Sequence, residues 1–418
     1  MELEIDMAPA EPGRTCPVAH DYPFTAPAPL DPPAEWAELR ETCPVADIRL
    51  PSGDSALLAS RYEDVKTLLA DPRWTRQLDP AQGAARVSAQ EDGGVFGMRE
   101  GNALLQWQDH ARWRRLLSRS FTAKRVNAMR PQIEKFANEL VDGMEAGDRP
   151  ADLASAFSFP LPVRVICELL GAPHEDRERF AGWSDAMLSM TRLTQEETAE
   201  ALADFTGYMR AHIERKRAEP GDDLLSELTT ISDSDDGRLS SEELLQTAMG
   251  LLISGYETTA NMISKMVALL LTHDGGAAWD ALLADRGRIP AAVEETLRMD
   301  ANSGFGLPRF VSEDTEVAGG AIPAGSTVVN NLAAANRDAS VFPDPDRLDL
   351  DRTPNRHITF GVGAHSCVGQ ALARAELQIS LDVLTDRMPH LRLAVPPERL
   401  ERRTGLVVGG LVGLPVTW

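Results

Sequence analysis

The chain is predicted to be mainly α-helical with small peripheral β-sheets, and three observations carry that expectation. Apolar residues recur at helical spacing over most of the sequence beyond residue 60. One candidate helix runs, by its composition, for about 33 residues, which at 1.5 Å each would span a domain of this size. Alternating β-prone runs are confined to the stretch before residue 60 and to the C-terminal end. With 43% hydrophobic and 25% charged residues, the composition is that of a folded globular protein. The 418 residues could form two or three domains by length, but no linker divides them. The longest polar break, 231–238, reads as a loop between helices. The expected organisation is a flexible Pro- and Ala-rich segment over 1–33 and one domain over 34–418.

The elements follow in order. Residues 47–50 and 55–59, separated by Pro-Ser-Gly-Asp, read as a hairpin, and 62–70 as a short helix after it. Helical spacing continues over 111–121, 130–144, 157–170 and 194–217. The long helix opens on a capping box, Ser240-Ser241-Glu242-Glu243, and runs to about Thr272. Pro-rich turns return at 322–325 and 342–346, and 406–418 alternates Val, Gly and Leu as short strands do.

Bulk properties exclude several functions. The formal charge of −22 argues against nucleic acid and anionic membranes as partners. The N-terminus lacks the basic and apolar regions of a signal peptide. The most apolar long segment, 248–271, carries Glu257 and Lys265 and would make a poor membrane span. Four cysteines form no disulfide framework, and Cys16, Cys43 and Cys167 read as small buried hydrophobes. The expected location is cytoplasmic.

Cys367 reads differently. The run Phe360-Gly361-Val362-Gly363-Ala364-His365-Ser366-Cys367-Val368-Gly369 sets one cysteine at the end of a glycine-punctuated loop, with a helical stretch directly after it. Loop N–H groups and the positive end of a helix favour a thiolate there, and a thiolate is a good metal ligand. Gly361, Gly363 and Gly369 would let the backbone approach a flat cofactor, and His365 could reach an acidic group on its edge. A nucleophilic cysteine is the competing reading, but no paired base is evident.

Three further constellations matter. Within the long helix, Ser254-Gly255-Tyr256-Glu257-Thr258-Thr259 places poor helix formers mid-helix. An acid beside a hydroxyl could relay protons there; the plainer reading is that Thr258 and Thr259 bond back to helix carbonyls and Glu257 faces a salt bridge. Glu295 and Arg298 share a helix face at i, i+3 and could be an ordinary surface pair. His110 and Arg114 lie one helical turn apart, and paired cationic donors suit carboxylates.

Taken together these motifs resemble those of the cytochrome P450 family, most closely its soluble bacterial members, from about Asp47 to the C-terminus. The resemblance implies the cytochrome P450 fold, with a haem-thiolate loop ahead of a helix. It implies haem b with Cys367 as the metal ligand and with Phe360, Gly369 and Gly255 in cofactor contact. His110, Arg114, Arg309 and His365 would serve the haem carboxylates, and Glu257 and Thr258 the catalytic proton supply. A later arginine, Arg347, would close a triad with Glu295 and Arg298 that braces the thiolate loop. One departure is Gln106-Trp107-Gln108-Asp109, where relatives usually carry Asp-Pro-Pro or Asp-Gly-Pro.

The implied activity is a haem-thiolate monooxygenase that uses O2 and two externally supplied electrons to oxidise a small organic substrate of secondary metabolism. A haem-thiolate enzyme of oxidative coupling or ring closure is the alternative, and a haem sensor or carrier without turnover is a third reading. The chain shows no flavin or iron–sulfur segment, so electrons would come from a ferredoxin with its reductase. Arg112, Arg114, Arg115, Arg119, Lys124 and Arg125 are the expected docking patch. The resemblance implies a substrate pocket from 84–98, 183–190, 249–254, 302–307 and 406–408, with Gly93, Gly94 and Gly97 making the first of these mobile; Met98, Met187, Met190 and Met249 could line an adaptable cavity, although methionine at helical spacing is more often plain core.

Overall fold

The computed structural model describes residues 19–76, 78–88, 110–231, 239–302 and 304–418. Cys16, Gly93, Gly94, Gly97, Met98, Gln106, Trp107, Gln108 and most of the 231–238 loop lie outside them. The architecture is helical with four small sheets among the described residues.

The helix Ser241–Thr272 is the axis of the molecule. Its start is fixed by both halves of the capping box: the Glu243 N–H donates to Ser240 Oγ at 3.1 Å, and the Ser240 N–H donates to Glu243 Oε2 at 2.6 Å. Leu, Ile, Met and Val on every side then bury it against Pro160–Leu170, Gln195–Ala218 and Gln370–Arg387. A helix apolar all round must be interior. The break in this pattern is local: Ser254 is exposed and Gly255 and Thr258 are half-buried, midway along. No helix among the described residues is long and apolar enough to cross a membrane.

The largest sheet orders five strands, His20–Asp21, Val45–Arg49, Ser55–Ala59, Thr327–Asn330 and Leu307–Phe310. The hairpin expected at 47–59 is there, with Ile48 opposite Ala56, and Tyr62–Ala70 is the helix after it. Residues 19–33 drape over this sheet; Tyr22 is buried and its hydroxyl donates to the Phe305 carbonyl at 2.5 Å. The C-terminal alternation yields the strands Gly410–Leu411 and Pro415–Thr417, the first paired with Arg402–Arg403. Cys167 is free and buried, as expected of a small hydrophobe, and burial pushes its thiol up to about 12. Cys43 departs from that expectation: it is disulfide-bonded.

Candidate active site

The loop that carries Cys367 is closed by its own backbone. The Cys367 N–H donates to the Phe360 carbonyl at 2.7 Å, and the Gly361 N–H to Ile358 at 2.8 Å. Gly363, at φ +74°, is required for packing: a Cβ there would lie 3.0 Å from the Ala70 Cα. Its close neighbour is therefore the end of Tyr62–Ala70, not a cofactor. Gly369 is different, because a side chain at that position would meet only the Cys367 sulfur, 4.0 Å away.

Cys367 is free and has accessible surface. Enclosure by protein nonetheless dominates its thiol and raises the pKa; the N–H groups of Gly369 and Gln370 and the charges of Arg114 and Arg374 pull the other way without prevailing. This corrects the expected lowering. A thiol that coordinates a metal is deprotonated whatever its free pKa, so the shift does not bear on a ligand role. A nucleophile role would need a base, and the His365 ring packs instead on His110, with centroids 4.0 Å apart.

Around this loop five donors converge. Arg114 Nη1 donates to the Ser366 carbonyl at 2.5 Å, which brings His110–Ser120 against the cysteine loop. Thr75 exchanges two backbone bonds with Phe310, 3.1 and 2.9 Å, so Arg76 lies beside Arg309. Burial with His110, Arg76, Arg309 and Arg114 pushes His365 down to about 3. Burial, then Arg76, pushes Arg309 down to about 9. His110 shifts down for the same reasons, burial first, and burial lowers Arg76. Neither Arg76 nor Arg309 has a carboxylate partner among the described residues, and His365 Nδ1 is buried without a hydrogen bond. Like charges packed together unpaired are unfavourable, so the cluster is suited to an anion with two carboxylates. Arg76 has no motif around it; only its strand register reveals it.

The middle of the central helix holds the second half of the site. Thr258 Oγ1 donates to the Ser254 carbonyl at 2.9 Å, as the plainer sequence reading had it. Glu257 is buried and ion-paired with Arg403; Asn261 Nδ2 donates to it at 3.0 Å and Ser184 Oγ lies at 3.4 Å. Gly255 is close to a neighbouring helix. A Cβ there would sit 2.6 Å from Ile166 Cδ1, so the missing side chain admits the neighbouring helix Pro160–Leu170.

The expected brace is present with a different third member. Arg298 holds Glu295 through two bonds of 2.8 Å, both side chains fully buried. Arg352, not Arg347, completes it, with Nε 3.0 Å from Glu295 Oε1. The Arg347 side chain is exposed and offers only its carbonyl. Glu294 extends the brace to the cysteine loop through His357 at 3.0 Å and Arg374 at 2.7 Å, and Arg374 covers the Phe360 ring at 4.5 Å.

The basic patch is smaller than its sequence. Glu243 takes Arg112 at 2.6 Å, Glu227 takes Arg125, and Arg114 turns inward. Arg115, Arg119 and Lys124 stay exposed with no ion-pair partner among the described residues.

A cavity of about 650 Å³ lies between residues 23–36 and the segments 299–305 and 401–410, a size suited to organic ligands. Met190, Asn302, Phe305 and Leu406 line it together with Lys265, Asp300, Arg337 and Arg402, while Cys367, Thr258 and the five cationic donors do not. Trp183, by contrast, stacks on Phe205 at 4.7 Å in the core, and Met249 is fully packed.

A family model described as Cytochrome P450 matches residues 284–399. Mycinamicin IV hydroxylase/epoxidase of Micromonospora griseorubida is 43% identical over 400 residues, covering 95% of this chain and 98% of that one. Nocardicin C N-oxygenase of Nocardia uniformis subsp. tsuyamanensis is 41% identical over 95% and 98% of the two chains. The crystal structure of the putative thioether synthase SgvP, involved in tailoring griseoviridin, superposes with a TM-score of 0.89 at 39% identity, over 96% of this chain and all of that one.

Proposed function

The chain belongs to the cytochrome P450 family and is a haem b monooxygenase, and from that premise we propose that it oxidises a small, largely apolar organic substrate of secondary metabolism, in the cytoplasm, with two electrons from a ferredoxin and its reductase. The observation that carries this reading is Cys367, a free, accessible sulfur on a loop against which Arg76, His110, Arg114, Arg309 and His365 converge, with no carboxylate partner for Arg76 or Arg309 among the described residues.

The residues present fit the cofactor. Cys367 would hold the iron, and Arg76, His110, Arg114, Arg309 and His365 would hold the two carboxylates. Phe360, covered by Arg374, would shield the sulfur, and Gly369 would leave its near side clear. Bound through a thiolate, haem supplies the chemistry that splits dioxygen, one atom entering the substrate and the other leaving as water.

The chain's own residues supply position and protons. The Thr258 hydroxyl donates its hydrogen bond to the Ser254 carbonyl, so its oxygen offers lone pairs on the half-open face of the helix. Glu257 is the acid beside it. To pass a proton on it must release Arg403, which makes that ion pair a gate on the supply. Arg115, Arg119 and Lys124 form the docking surface for an acidic ferredoxin, which the chain's overall charge of −22 would otherwise repel.

The test is a reduced, carbon-monoxide-minus-reduced spectrum of the wild type and Cys367→Ser, followed by turnover under ¹⁸O₂. A red-shifted Soret band lost in the variant, with one label in the product, supports the reading. A histidine-type band, or product without label, overturns it.

A further inference from the structure

Asn302 sits where two parts of the site meet, and no motif points to it. Its backbone is left-handed, φ +56°, a conformation that Asn adopts more readily than other side-chain-bearing residues. That conformation is gripped on three sides. The Asn302 N–H donates to Asp300 Oδ1 at 3.2 Å, and its carbonyl accepts from the Gly304 and Gly409 N–H groups, each at 2.9 Å. The side chain then reaches the central helix, where Nδ2 donates to the carbonyl of Thr258. Oδ1 is left buried without a partner among the described residues, and the amide keeps this orientation because turning it would set Oδ1 against the Thr258 carbonyl.

The Thr258 turn carries side-chain donors on three carbonyls. Ser254 takes the Thr258 hydroxyl and Glu257 takes Asn261 Nδ2, both at 2.9 Å, while Thr258 takes Asn302. The first two donors belong to the helix and move with it. Asn302 comes from outside, on a segment braced by the wall of the 650 Å³ cavity. It therefore fixes the turn relative to the rest of the site.

We infer that Asn302 is a positioning residue for Thr258: by holding the Thr258 carbonyl from outside the helix, it sets the direction in which the Thr258 hydroxyl faces the reacting centre. The inference rests on the reading of Thr258 as part of the proton supply. It assigns Asn302 no contact with substrate or cofactor.

A double-mutant cycle on the holoenzyme tests it. Asn302→Gly keeps the left-handed backbone and deletes the amide; Asn302→Asp keeps the size and puts an oxygen where the donor was. Each is made alone and with Thr258→Ala. The readout is the lifetime of the dioxygen adduct of the reduced protein, followed by absorbance in H₂O and D₂O, which needs no organic substrate. Both Asn302 variants should shorten that lifetime at least threefold and change its isotope effect in the same sense as Thr258→Ala. Each double variant should be no worse than Thr258→Ala alone, because the two residues act through one hydroxyl. The carbon-monoxide spectrum should stay that of the wild type. Lifetimes within 1.5-fold of wild type for both Asn302 variants, or effects that multiply with Thr258→Ala, overturn the inference. A Thr258→Ala variant that itself behaves as wild type overturns the underlying reading as well.

Discussion

The carboxylate of Glu257 and the guanidinium of Arg403 form an ion pair that ties the middle of the central helix to the C-terminal hairpin, and the same guanidinium holds Asp185 on the helix Arg177–Leu188. Glu257 is nearly inaccessible and Arg403 largely so. Removing one partner of such a pair leaves an uncompensated charge and costs about 3–5 kcal/mol. Arg403→Gln is therefore expected to lower the denaturation midpoint sharply. Arg403→Gln with Glu257→Gln should recover a good part of the loss, and a double variant no more stable than the single one would show that the pair is not coupled.

The arginine identified as the third member of the brace gives a contrast. Arg352→Ala should cost about 1.5–3 kcal/mol, the loss of a charged hydrogen-bond partner from a Glu295 that keeps Arg298, whereas Arg347→Ala, at an exposed side chain, should stay within about 0.5 kcal/mol. Urea denaturation of the two variants measures both; equal losses would restore Arg347 to the triad.

Glu294 predicts an acid limb. Burial alone would raise its pKa, but hydrogen bonds from His357 and Arg374 and their charges outweigh that and hold it at about 2, against 4.5 ordinarily. Between those values the unfolded chain takes up a proton that the folded chain refuses. The stability from this group is thus complete above about pH 4.5 and is lost as the pH falls toward 2. Urea midpoints at pH 6, 4 and 3 should fall less steeply for Glu294→Gln than for wild type.

Gly255→Ala sets helix propensity, a gain of about 1 kcal/mol, against an overpacking cost of about 1–3 kcal/mol at Ile166. The expected result is a small net loss, with the carbon-monoxide spectrum unchanged. Adding Ile166→Val removes the atom 2.6 Å from the new Cβ and should return the protein to wild-type stability or above. A spectral change in Gly255→Ala alone would place Gly255 against the cofactor after all.

Charge reversal at Arg115 and Arg119 should slow reduction by ferredoxin about tenfold at low salt, with the difference shrinking as ionic strength rises. Stopped-flow reduction rates measure it, with substrate affinity as the control. Unchanged rates would remove the patch from the docking surface.

Much of this was legible in the sequence, and what was not has a physical cause. The long helix announced itself through the Ser240–Glu243 capping box and unbroken apolar composition, both local signals. The cysteine loop was legible because its residues are contiguous. Arg76 was invisible, since its place beside Arg309 depends on a backbone pairing of Thr75 with Phe310 across 235 positions of chain. Arg352 and Arg347 cannot be told apart by spacing, because turn geometry alone decides which side chain points inward. The closeness of Gly255 to Ile166 was not legible either, as a glycine reports that something comes close without saying what.

Held by the five-donor cluster as proposed, the cofactor would be a cross-link as well as a reagent. Its members come from four separate stretches of chain, and Arg114 and Ser366, whose contact joins two of them, are 252 positions apart. A dianion gripped by all four stretches closes loops of that length at once, as a metal clip would, and the entropy removed from the unfolded chain grows only slowly with loop size. Once released, those loops no longer have the anion that offset their mutual repulsion. Haem-free and haem-loaded protein should therefore unfold as chains of different connectivity, the free form parting first at the joint between His110–Ser120 and the cysteine loop.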